Sequence, residues 1–114
     1  MKQTRKPSCN ELSLIKKLVD SSLIKFQTNW ENDLLVSSIN DGDMGSLLLF
    51  PNGIVNKNRV FGKQISEYQF KDEDGIKVIV SLNVDKSEAL FELDIWKTDF
   101  SRLIKLPEIL SNES

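Results

Sequence analysis

Histidine is absent from this chain of 114 residues, and cysteine occurs once, at Cys9. Without histidine the commonest general base is missing, and with it the usual partner of a serine or cysteine nucleophile. A lone cysteine cannot close an intramolecular bridge. The two absences together exclude a Cys/His zinc site and a secreted-type disulfide framework, so a reducing, cytoplasmic setting is expected. A long apolar run is missing as well. The opening MKQTRKPS is basic like the start of a signal peptide, but Cys9-Asn10-Glu11 is polar where an apolar stretch of about 7–15 residues would follow. No export or membrane segment is expected, and no repeat or low-complexity segment is visible.

What is present is enough for one compact domain. With 39% hydrophobic residues, 1–114 can bury a single core without metal or disulfide, leaving 1–7 and 111–114 as expected flexible ends. The net charge of −2 hides an asymmetry: residues 1–30 carry six Lys/Arg against two Asp/Glu, whereas residues 31–114 carry nine against fifteen. Phosphate binding needs a concentrated basic surface, so direct nucleic-acid binding is not expected, and a basic protein is the more natural partner.

Ser8 and Glu11 form a capping-box pattern ahead of Leu12, Ile15, Leu18, Val19, Leu23 and Phe26, which recur at helical spacing. This predicts one amphipathic helix over residues 8–26, packed on a sheet rather than on a membrane. After a break at Gln27-Thr28-Asn29, strands are expected at Asp33–Asn40, Ser46–Phe50 and Ile65–Phe70. Turn-forming Asn40-Asp41-Gly42-Asp43 and Pro51-Asn52-Gly53 separate them, and an irregular loop covers 56–62. Two further apolar runs, Ile76–Val84 and Leu90–Trp96, are joined by Asp85-Lys86-Ser87-Glu88 and read as a central hairpin. The fold class is therefore α+β: an N-terminal helix laid on an antiparallel sheet of about five strands in meander order. In the last strand Phe91, Leu93 and Ile95 alternate toward the core, and Glu92, Asp94 and Trp96 fall on the opposite face.

That opposite face is the best candidate site, because one helix covers only one side of such a sheet. Two carboxylates beside a large aromatic suit protein recognition, with the charges orienting a partner and Trp96 anchoring it. Asp72, Asp74 and Asp85 bracket the central strand and join the candidate partner-binding set. As a calcium loop, Asp72-Glu73-Asp74-Gly75 lacks the later ligand positions, and Asp41-Gly42-Asp43-Met44-Gly45-Ser46 lacks the lysine of a phosphate cradle. No cofactor, metal site or catalytic set is expected.

The segments DGDMGS at 41–46 and FKDEDGIKVIVSLNVDKSEALFELDIWKTDFSRL at 70–103, with Pro107, resemble a family of small bacterial proteins of uncharacterised function. The family pattern is DGxMGS, then DxDGxxVxxxLNxD, then LFELDxWKxDFxxL. The resemblance implies a compact α+β domain and brings no reaction or catalytic residue with it. In size, acidity and cytoplasmic character the chain also resembles in type the immunity proteins of bacterial toxin systems, contact-dependent growth inhibition among them. The expected function is a non-enzymatic protein-binding module that neutralises a basic toxin domain, such as a nuclease. Two alternatives stay open: a small carboxylate- or metal-dependent enzyme using Asp72, Asp74, Asp85, Glu92 or Asp94, and a homo-oligomeric structural module.

Overall fold

The computed structural model describes residues 3–39 and 44–108. The helix α1 spans Cys9–Ser21 and starts on the expected capping box: Ser8 Oγ accepts from the Glu11 N–H (3.2 Å), and the Glu11 carboxylate accepts from the Ser8 N–H (2.9 Å). It ends earlier than its apolar periodicity suggests. The Ser21 and Ser22 hydroxyls donate back to the carbonyls of Lys17 and Val19, and Ser22 is already extended. Leu23, assigned to the helical stripe from its spacing, is fully exposed as a result. Phe26 turns back toward the core with Trp30, their rings 6.4 Å apart.

Five strands follow, β1 (Leu35–Ser38), β2 (Leu47–Phe50), β3 (Phe61–Lys71), β4 (Lys77–Asp85) and β5 (Leu90–Lys97). They form one antiparallel sheet in the order β1-β2-β5-β4-β3, which corrects the expected meander. From Phe50 the chain passes the hairpin ends of β5 and β4 and begins β3 at the far edge, where Phe61 opposes Asp85. The polarity of the strands explains the order. Lys63, Gln64, Glu67, Gln69 and Lys71 suit β3 to an edge, whereas Val78, Val80, Leu82, Leu93 and Ile95 need neighbours on both sides. Gly62 allows the close approach at that edge, since a Cβ there would lie 2.4 Å from the Asp85 carbonyl oxygen.

One face of the sheet carries the core. Leu14, Ile15 and Leu18 of α1 pack on Val78, Val80, Leu82, Leu93 and Ile95, with Leu34, Val36, Leu47 and Leu49 extending the cluster and Leu12, Leu103 and Leu106 at its margin. Leu93 and Ile95 point inward as their alternation predicts, but Phe91 does not. The ladder shifts between Asn83 and Val84, so that Asn83 opposes Glu92 while Val84 opposes Leu90. This bulge sends Leu90 into the core, and Phe91 lies instead under the guanidinium of Arg59 (5.1 Å).

The turn expected at Asn40-Asp41-Gly42-Asp43 and the expected flexible end 111–114 lie outside the described residues. Within the other expected flexible end, 1–7, Arg5 is held. Its backbone bridges Val36 in both directions (2.8 and 2.7 Å), and its guanidinium grips Glu11. The inward assignments are checked by urea denaturation: Leu93→Ala should lower the unfolding free energy by about 2–5 kcal/mol, and Phe91→Ala should cost less.

Candidate functional site

Lys97 extends the inward series of β5 by one step, opposite Val78, and is 1% exposed. A buried ammonium is stable only when paired and hydrogen-bonded. Lys97 Nζ donates to Asp72 Oδ2 (2.9 Å), Asp74 Oδ2 (2.7 Å) and the Arg102 carbonyl (3.1 Å). Asp72 in turn accepts the backbone N–H groups of Glu73, Ile104 and Lys105. Burial alone would raise the Asp72 pKa, but the Ile104 N–H, the Lys97 ammonium and the other two amides outweigh it and hold it at about 2. Burial likewise acts to lower the Lys97 pKa, and the two carboxylates overcome it and raise it.

The six residues expected to bind a partner therefore separate. Asp72 is buried in this ion pair and removed from the accessible surface. Asp85 is also buried: its carboxylate accepts from the Ser87 N–H and hydroxyl and the Ala89 N–H of the β4–β5 turn, and it pairs with Arg59 (3.3 Å). Each of these two carboxylates is taken up inside the fold by backbone N–H groups and a cation, Lys97 for Asp72 and Arg59 for Asp85. Asp74 is partly exposed but committed to Lys97 and the Ile76 N–H.

Glu92, Asp94 and Trp96 do share one face of β5, opposite the core. Across the sheet, Glu92 lies in a row with Gln64, Asn83 and Leu48, and Asp94 in a row with Glu67 and Ser81. Glu67 is a third carboxylate of this face that strand-by-strand reading does not reveal. Asn83 donates to Glu92 (3.2 Å), and the Ser46 hydroxyl lies 3.5 Å from Asp94. Burial, reinforced by the charge of Asp94 and opposed by the Asn83 hydrogen bond, raises the Glu92 pKa. Lys71 and Lys77 oppose each other at the far end of the face. Trp96 is 39% exposed and meets Phe100 with ring centroids 5.8 Å apart. Phe100 sits in a tight turn, where its N–H donates to the Lys97 carbonyl (2.8 Å) and its φ is +63°. An aromatic residue in the left-handed region is strained by about 1–2 kcal/mol, yet this ring is 70% exposed and gains little from the core.

Lys97 had a signal in the sequence, the continued inward alternation Leu93-Ile95-Lys97 beside an acidic turn. Phe100 and Arg59 had none, because both lie in irregular segments. Elsewhere, an apolar pocket of about 150 Å³ lies between Phe26, Trp30, Pro51 and Leu90. Among the described residues no three His, Cys, Asp or Glu side chains gather as metal ligands, and no helix is long and apolar enough to cross a membrane. In comparisons with known proteins, a family model described as a domain of unknown function, DUF6984, matches residues 4–107. No curated protein and no solved structure matches the chain.

The pH dependence of stability follows from the shifted groups. A carboxyl held below its ordinary value stabilises above that value, so the Asp72 contribution should be intact above pH 3.8 and disappear as the pH falls toward about 2. Raised in the folded state, Lys97 contributes fully below pH 10.5 and loses that contribution at higher pH. Thermal melts of Asp72→Asn should show a lower melting temperature at neutral pH and a shallower decline on acidification than the parent. Glu92 has the opposite sign to Asp72, since its raised pKa makes ionisation above pH 4.5 a cost. Glu92→Gln should therefore raise the melting temperature at pH 7 and leave it unchanged in strong acid.

Proposed function

This chain belongs to the DUF6984 family of domains of unknown function, and we propose that it is a non-enzymatic protein-binding module that docks through the uncovered face of its sheet. Its most concrete form is a cytoplasmic immunity protein that neutralises a basic toxin domain, such as a nuclease. The observation that carries this reading is Phe100, a bulky ring held in a left-handed turn, exposed and set against Trp96. Glycine would satisfy that backbone at lower cost. A strained aromatic that the core does not need is accounted for by a contact outside the chain.

The flanking groups suit a basic partner. Glu67, Glu92 and Asp94 would steer it and fix its orientation, while Trp96 and Phe100 would be desolvated on docking. Glu92 is already partly buried with its charge only weakly compensated, so a cation from a partner would relieve an existing cost. A second copy of this chain does not fit here, because the same carboxylates would face one another.

The test is capture of a partner from the source organism with the tagged protein, followed by surface plasmon resonance at two ionic strengths. Glu92→Lys and Asp94→Lys should slow association and weaken its salt dependence, and Trp96→Ala should speed dissociation. Phe100→Gly should weaken binding while raising stability by about 1 kcal/mol. Unchanged kinetics in all four folded variants would place the interface elsewhere.

A further inference from the structure

The sheet has two edges, and they are finished differently. At the β1 edge the backbone of Arg5 pairs with Val36. The β3 edge is longer, and among the described residues no hydrogen bond reaches its outer side. Register shifts at Phe61/Lys63 and Gln64/Ser66 break up its first half, which blocks strand pairing there. Residues 66–71 then run in unbroken register with β4.

The phase of that ladder determines which groups face outward. Asp72 N–H donates to the Ile76 carbonyl (2.9 Å). Bonded pairs recur every second residue in an antiparallel ladder, so Phe70 and Tyr68 bond inward to β4, and the N–H and C=O of Glu67, Gln69 and Lys71 point to the free edge. The same three side chains lie on the uncovered face, whereas Tyr68 and Phe70 lie on the core face, their rings 6.4 Å apart.

Read antiparallel to itself, Glu67-Tyr68-Gln69-Phe70-Lys71 is self-complementary, and we infer that this edge pairs two copies of the chain about a two-fold axis through Gln69. In that register Glu67 of each copy faces Lys71 of the other, Gln69 faces Gln69, and Tyr68 faces Phe70. Every outward N–H and C=O of the three edge residues gains a partner, and the cross-strand contacts are ionic on one face and aromatic on the other. Sliding by two residues loses both ionic pairs, so the charges fix the register. An axis perpendicular to the sheet keeps both uncovered faces on the same side, which joins them into one double-width surface.

Sedimentation equilibrium of the full chain at low ionic strength, from micromolar to millimolar concentration, tests the inference. A reversible dimer is expected. Glu67→Lys sets like charges against each other at both ends and should raise the dimer dissociation constant about 10-fold or more; Lys71→Glu should do the same. An equimolar mixture of Glu67→Lys and Lys71→Glu chains should form the heterodimer, and the double variant Glu67→Lys/Lys71→Glu should recover the parental affinity. Circular dichroism of each variant confirms that it is folded. A parent that is monomeric at every concentration overturns the proposal, as does a dimer equally tight in both single variants.

Discussion

A single buried ammonium sets the shape of one whole end of this protein. Lys97 occupies a core position, and its charge is tolerable there only because Asp72, Asp74 and the Arg102 carbonyl surround it. Those partners come from the β3–β4 turn and from the segment after β5, so the chain must reverse direction directly beyond Lys97 to deliver Arg102. The reversal is accomplished in the Lys97–Phe100 turn, which is what forces Phe100 into the left-handed region. Asp72 then holds the Ile104 and Lys105 amides, and Leu103 and Leu106 reach the core. The left-handed turn at position 100 is thus a geometric consequence of the buried ion pair on the other side of the same strand, whereas the large ring it carries there is not.

Arg59 plays the matching part at the opposite end. Its guanidinium donates to the carbonyls of Leu49 and Leu90, pairs with Asp85 and lies over the rings of Phe50 and Phe91. It joins β2, β5 and the β4–β5 turn where the strand order departs from a meander. Both ends are therefore closed by a cation neutralised within the fold, whereas Glu92 and Asp94 in the middle of the uncovered face have hydrogen-bonding neighbours and, among the described residues, no cation paired to them. The acidity of that face follows from where the basic residues are used, which net charge alone does not reveal.

Local patterns were legible in the sequence, and irregular geometry was not. Ser8 and Glu11 announced the helix start, and strict alternation placed Leu93 and Ile95 on the core side. The same alternation put Glu92, Asp94 and Trp96 on the other face. It failed at Phe91, because a bulge adds one residue and reverses the assignment beyond it, and nothing in Leu90-Phe91 distinguishes a bulged pair from a regular one. Asp72 and Asp85 read as accessible residues bracketing the central strand because turns are usually solvated; their burial depends on Lys97 and Arg59, which arrive from distant parts of the chain. The strand order was illegible for a related reason. Short connections favour neighbours in sequence, and only the unequal polarity of β3 and β5 argues otherwise.

Backbone strain alone does not single out Phe100. Asn29, Asn52 and Glu88 also have positive φ, but asparagine tolerates that region, and Glu88 lies in the β4–β5 hairpin turn, where a left-handed residue belongs to the turn geometry. Phe100 differs in having a large ring that neither the core nor the turn requires. Its strain and exposure are useful only if something else covers it, and the self-complementary β3 edge is not placed to do so. Edge pairing draws on main-chain groups of Glu67, Gln69 and Lys71, whereas the face draws on side chains of β5 and the turn beyond it. Two-fold pairing at the edge would therefore leave both aromatic pairs open on one side of a doubled sheet, so that a partner with two basic patches could be held at both sites at once.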